Sequence, residues 1–232
     1  MSEEQQKALQ AFQKRVHVEF SDTELLSTAF THRSYVNESN QGGEHNERLE
    51  FLGDAVLELV VTDHIFKQYP DTPEGVLTAY RAALVNTVML GSVAEELKMN
   101  ECLLLSKGES KDTGRARSTI LANTFEAVVG AMYLDRGYDT VKSFIQTYVL
   151  SRIDEVVETG AWKDAKSAFQ ELAQAKYGST PRYEVIRSDG PDHDKHFVVA
   201  VFVGDVSVAE GEGSSKQEAE QRAAAHALSE ES

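Results

Sequence analysis

Between residues 3 and 157 successive stretches carry apolar residues every three or four positions, the spacing that gathers them on one face of a helix, with polar loops between them. Residues 3–16 place Ala8, Leu9, Phe12 and Val16 at that interval. Ser21-Asp22-Thr23-Glu24 reads as a helix cap ahead of Leu25, Leu26, Ala29 and Phe30. Thr31-His32-Arg33-Ser34-Tyr35 and a polar loop through Gly42-Gly43 then lead into a helix that Pro70 ends. Thr72-Pro73-Glu74-Gly75 opens the next helix, with proline at an early helical position. Its periodicity runs on through Leu77, Tyr80, Leu84, Val88, Leu90, Val93 and Leu97. Two further helices are predicted, over about 116–135 and over 139–157. Helices with almost no strand signal describe an all-α domain.

The pattern changes at Glu158-Thr159-Gly160-Ala161-Trp162-Lys163, a short polar linker. One helix follows, from Ala165 to about Tyr177. The period then becomes two, in Tyr183–Arg187 and His196–Val203, and Gly204-Asp205 is a tight-turn pair before Val206–Ala209. A final helix rich in Ala and Glu spans Ser214 to Leu228. The order is α-β-β-β-α. The expected organisation is therefore an all-α domain over 8–137, its remaining helix over 138–157, a linker over 158–163 and a small α+β module over 164–231.

Composition narrows the reading. The N-terminus lacks the basic-then-apolar pattern of a signal peptide, and no apolar run approaches a membrane span, so a cytoplasmic protein is expected. The single cysteine, Cys102, excludes an internal disulfide, and no zinc-type Cys/His spacing exists. Cys102 lies in an apolar run and reads as a small buried side chain. The net charge of −15 weighs against a nucleic-acid partner, since phosphate binding is driven by Lys and Arg. It does not exclude a binder whose few cations are well placed.

Against that background His45-Asn46-Glu47-Arg48-Leu49-Glu50-Phe51-Leu52-Gly53-Asp54-Ala55-Val56-Leu57 stands out. Glu47, Glu50 and Asp54 sit at i, i+3 and i+7 and share one helical face. Apolar residues cover most of the remaining circumference, which predicts a buried helix. Buried carboxylates without partners are costly, and Arg48 alone cannot neutralise three of them; a divalent cation can. A solvated acidic stripe is the alternative, but it would bring Lys and Gln rather than Leu and Val. A second stretch, Asn123-Thr124-Phe125-Glu126-Ala127, again sets polar residues in an apolar helix, with Asn123 and Glu126 on one face.

Both stretches resemble ribonuclease III, the family that cuts double-stranded RNA, and the first matches without a gap from Asn46 to Asp54. The resemblance implies a magnesium-dependent active site in which Glu50, Asp54, Asn123 and Glu126 hold the metal and Asp54 and Glu126 are catalytic. Mn²⁺ is expected to substitute for Mg²⁺, since both suit hard oxygen donors. Asn123 stands where the family most often has aspartate; its amide oxygen can bind magnesium or a coordinated water but brings no charge. Glu47 is placed beside the metal. Glu74 is either a contributor to a second ion or a first-turn acid favoured by the helix dipole, and both readings stay open. Phe51 is implied to pack into the partner of a homodimer. Lys107, Arg115 and Arg117 lie where the family has a basic, glycine-containing loop and are candidate phosphate contacts.

Residues 164–231 resemble a double-stranded-RNA-binding domain in Ala168-Phe169-Gln170-Glu171-Leu172, Gly190-Pro191-Asp192-His193 and Gly213-Ser214-Ser215-Lys216. The resemblance implies minor-groove contacts from Gln170, Glu171 and His193, and a phosphate contact from Lys216 at the start of the last helix. The module is electrostatically poor, with 7 Lys and Arg against 13 Asp and Glu. The expectation is an all-α endonuclease domain joined to a small α+β RNA-binding domain. Its activity would be metal-assisted cleavage of double-stranded RNA to 5′-phosphate and 3′-hydroxyl ends, in ribosomal and messenger RNA processing. The alternative is a non-catalytic double-stranded-RNA or ribosome-associated binding protein with a weakened metal site.

Overall fold

The computed structural model describes residues 1–39, 43–111, 114–160, 162, 164–190 and 195–230, the side chains of Ser39 and Arg115 excepted. The chain divides into two compact units, Met1–Trp162 and Lys163–Ser232.

The first unit is helical: α1 (Glu3–Val16), α2 (Thr23–Ala29), α3 (Arg33–Ser39), α4 (Glu47–Gln68), α5 (Glu74–Val85), α6 (Thr87–Glu96), α7 (Arg115–Arg136), α8 (Tyr138–Tyr148) and α9 (Ile153–Thr159). Local chemistry sets the boundaries. Asp22 caps α2, its carboxylate accepting the N–H groups of Glu24 and Leu25. The expected continuous periodicity from Leu77 to Leu97 is broken at Asn86. That side chain accepts the Met89 N–H at the start of α6 and donates to the Ala82 and Ala83 carbonyls at the end of α5. Pro73 stands just outside α5 in extended backbone rather than inside it. The 139–157 segment is likewise two helices, separated by a tight 3₁₀ turn at Leu150–Arg152. The polar stretch after Thr31 holds a short helix, α3, which a seven-residue run without apolar periodicity did not announce.

α4 and α7 cross at the centre of the unit through two glycines. A Cβ on Gly53 would overlap the carbonyl oxygen of Glu126, and a Cβ on Gly130 would overlap that of Leu49. The two backbones therefore touch. Leu57, Val60, Val61, Leu121, Phe125, Val128 and Met132 fill the core around the crossing. Cys102 is buried, as expected, and burial pushes its thiol up to about 12.

The expectation that α4 is buried all round is corrected. Phe51 is 82% exposed, and Ala55, Leu59 and Phe66 are open on the same side of the helix. Apolar residues around the whole circumference do not say which chain covers them, and this stripe is not covered by its own. Trp162, inside the segment expected as linker, packs edge-on against Tyr80 with ring centroids 5.0 Å apart.

The second unit runs α10 (Ala165–Tyr177), β1 (Arg182–Asp189), β2 (His196–Val203), β3 (Val206–Gly213) and α11 (Lys216–Glu230). The strands form an antiparallel sheet in the order β1-β2-β3. Asp164 caps α10, and Gly204 supplies the left-handed turn between β2 and β3 at φ 62°. Phe169, Val201, Ala223, Ala224 and Ala227 make a core of its own. Among the described residues no single helix is long and apolar enough to cross a membrane.

The helix crossing yields a prediction. Gly130→Ala should destabilise the first unit by about 2 kcal/mol, in the range for overpacking, and lower its thermal midpoint by roughly 4–8 °C for a domain of this size. An unchanged midpoint in a melting curve would show that the backbones are not in contact there.

Candidate active site

The crossing decides which side chains meet. α4 carries Glu47, Glu50 and Asp54; α7 carries Asn123 and Glu126. Gly53 lies against Glu126 itself, so one helix's acids stand opposite the other's. Glu50, Asn123 and Glu126 are half-buried, whereas Glu47 and Asp54 are exposed.

Burial pushes the Glu126 carboxyl up to about 7, and the charges of Asp54 and Glu50 push in the same direction. Glu50 is also raised, chiefly by burial and then by Glu47; the Asn123 side-chain amide donates a hydrogen bond to it and opposes the shift, as does Arg33 weakly. Carboxylates from two helices thus repel one another in a partly desolvated place. Glu47 is drawn aside: Arg33 Nη1 lies 3.2 Å and His45 Nδ1 3.8 Å from its carboxylate oxygens. Glu74 accepts a hydrogen bond from Thr78 in the first turn of α5.

Among the described residues no three Asp, Glu, His or Cys side chains are gathered closely enough to hold an ion by themselves. The donor set nevertheless suits Mg²⁺, which keeps several waters and binds through one or two carboxylates together with substrate phosphates. Burial and the neighbouring acids disfavour the charged form of Glu126, and a bound cation would favour it.

The other candidates are spread over the surface. Lys107 is exposed on the loop before α7. Arg117 is half-buried and donates to the Ser110 carbonyl at 3.0 Å, which ties it to that loop. The side chain of Arg115 and all of His193 lie outside the described residues. In the second unit Gln170 and Glu171 are exposed on α10, and Lys216 is exposed at the start of α11. Phe51 helps to line a cavity of about 800 Å³ together with Leu25, Thr28, Leu49, Leu52 and Leu134 among others. The motif reading passed over Gly53 and Gly130, although a glycine inside each acidic helix was a visible sign of close backbone approach. It also passed over Arg33, which only the fold brings to Glu47.

Residues 22–153 match the family Ribonuclease-III-like, and residues 165–231 match the Double-stranded RNA binding motif. Fold and matches together define a helical nuclease domain joined to a double-stranded-RNA-binding module. Ribonuclease 3 of Borreliella afzelii (strain PKo) is 42% identical over 227 residues, 98% of this chain and 93% of that protein. Ribonuclease 3 of Oleidesulfovibrio alaskensis is 46% identical over 209 residues, 90% of this chain and 91% of that protein. The nuclease domain of ribonuclease III from Campylobacter jejuni, described for structural flexibility in a region involved in dimer formation, superposes with a TM-score of 0.57. It is 34% identical and covers 62% of this chain and 96% of that one. The chain belongs to the ribonuclease III family of endoribonucleases.

The raised Glu126 carboxyl predicts a pH dependence. Its folded-state value, about 7, lies above the ordinary 4.5, so the folded protein holds this proton more tightly than the unfolded chain. Deprotonation then favours unfolding, and this group's contribution to stability is lost as pH rises from about 4.5 through about 7. In EDTA, Glu126→Gln should gain thermal stability relative to the native protein across that window and hold a constant margin above it. Melting curves from pH 4.5 to 8 check this; a margin that does not change with pH would remove the buried-carboxyl account.

Proposed function

We propose that the chain cleaves double-stranded RNA by metal-assisted hydrolysis, leaving 5′-phosphate and 3′-hydroxyl ends, with Glu50, Asp54, Asn123 and Glu126 holding Mg²⁺ or Mn²⁺. The observation that carries the reading is the half-buried Glu126 facing Asp54 and Glu50 across the α4–α7 crossing, its carboxyl held near neutrality by burial and by their charge. When bound, the ion supplies a lowered pKa for a coordinated water and charge for the developing negative phosphate. The protein's own groups do the placing. Asp54 and Glu126 approach the scissile phosphate from separate helices, and Glu50 is steadied by the Asn123 amide. Arg33 pairs with Glu47 at 3.2 Å, and Glu47 would act beside the ion rather than as one of its main ligands.

Lys107, Arg115 and Arg117 would contact phosphates beside the site, and Gln170, Glu171, His193 and Lys216 would hold the duplex from the second unit. The open Phe51 and the cavity it helps to line support a homodimer in which each chain's Phe51 enters the other's cavity, so that two sites face the two strands. A cytoplasmic place and structured ribosomal and messenger RNA precursors as substrates complete the proposal.

Two outcomes test it. Purified protein should cut a long RNA duplex with Mg²⁺ and leave it intact with EDTA. Glu126→Gln should cut more than about 100-fold slower, beyond what loss of an outer partner of a metal costs, while gel-shift binding of the duplex stays unchanged. Near-normal cutting by that variant would take Glu126 out of the mechanism.

A chain ending at Trp162 keeps the first unit's core whole. It should cut at low salt and lose most activity near 0.15 M salt, where exposed charges are largely screened. Full activity at that salt would make the second unit dispensable.

A further inference from the structure

The loop that presents Lys107 is pinned by one face of α3. Ser34 and Glu38 are four residues apart and so lie side by side on that helix. They receive two consecutive backbone N–H groups of the loop: Ser106 N donates to Ser34 Oγ at 3.1 Å, and Lys107 N donates to Glu38 Oε2 at 2.8 Å. The Ser34 hydroxyl is itself fixed, 2.8 Å from His32 Nδ1. Just upstream, Leu104 forms a parallel bridge with Thr31, its N–H bonded to the Phe30 carbonyl and its carbonyl to the His32 N–H. From the other side Arg117 of α7 holds the Ser110 carbonyl. The turn Ser106–Lys111 is closed internally by Ser110 N–H on the Ser106 carbonyl and Glu109 N–H on Ser106 Oγ.

We propose that Glu38 is a positioning residue for RNA binding: its carboxylate fixes the backbone of Lys107 so that the exposed ammonium meets a phosphate of the duplex from an ordered base. This rests on the double-stranded-RNA cleavage proposed above. The bond from an N–H to a carboxylate is of the stronger, charge-assisted kind. Fixing the loop beforehand removes part of the ordering cost that binding would otherwise carry. In a chain of net charge −15 the long-range attraction for RNA is weak, so placement of each cation counts for more.

The sign of the effect separates positioning from simple electrostatics. Glu38 is an acid next to a phosphate-binding lysine; if it acted only through its charge, removing it would tighten RNA binding. Positioning requires the reverse. Glu38→Ala should raise KM for a duplex substrate in Mg²⁺ about tenfold, equivalent to about 1.4 kcal/mol, with kcat at saturation within twofold of native. Glu38→Gln, whose amide oxygen still accepts the Lys107 N–H, should restore most of the loss. Combining Glu38→Ala with Lys107→Ala should raise KM little beyond Lys107→Ala alone, because both act through one contact.

Amide hydrogen exchange at Lys107 reads the pin directly: protection in the native and Gln proteins, loss of it in Glu38→Ala. A KM that falls or stays level in Glu38→Ala, a Gln variant no better than Ala, or unchanged protection at Lys107 would each overturn the proposal. If the native protein cut no duplex, the cleavage reading would fail by itself, and exchange at Lys107 with duplex-binding affinity would still decide the role of Glu38.

Discussion

The candidate site depends on one contact, the backbone-to-backbone approach of α4 and α7 at Gly53 and Gly130. Interaxial distances in helix packing are set by the side chains at the contact. Here there are none, and the carbonyls of Leu49 and Glu126 occupy the space a methyl group would need. That closeness lets short side chains such as Asp54 and Asn123 share a site with Glu50 and Glu126. With alanine at either position the helices would separate, and four polar groups would lose a common centre before any of them was changed.

The same closeness has an energetic cost. Glu50 and Glu126 are half-buried near other acids, and both carboxyls are raised by that surrounding. A site tuned only for stability would place an apolar residue or a lysine there. Strain of this kind is tolerated where a ligand relieves it, and a divalent cation is a ligand of the required charge. The Asn123 amide offers a smaller relief from within the chain, donating to Glu50 where an aspartate would repel it. Family membership, the arrangement of the acids and the sign of their shifts are mutually consistent.

Much of this was legible in the sequence, and the reasons for success and failure are physical. The helix period located both acidic helices, the first ended by Pro70 and the second over about 116–135, and the spacing of Glu47, Glu50 and Asp54 put them on one face, because side-chain direction follows directly from helix geometry. The switch from a period near four to a period of two separated the units. Helix breaks at Asn86 and at Leu150–Arg152 were missed because apolar spacing continues across a short turn. α3 was missed because a short polar helix is held by tertiary bonds, here those to the 106–107 backbone, rather than by its own pattern. The open stripe on α4 was read as core, since hydrophobicity announces burial without naming the surface that provides it. Pairings such as Arg33 with Glu47 join residues 14 positions apart and exist only once the chain is folded.

If α4 and α7 together form one cation site, thermal unfolding of the RNA-free protein against Mg²⁺ concentration reads it most directly. Ligand binding to the folded state alone raises the midpoint with concentration. The native protein should show that rise, and proteins altered singly at Asp54 on α4 or at Glu126 on α7 should each lose most of it. A native midpoint indifferent to Mg²⁺, or a rise that persists when either helix's acid is replaced, would contradict a site shared between the two helices.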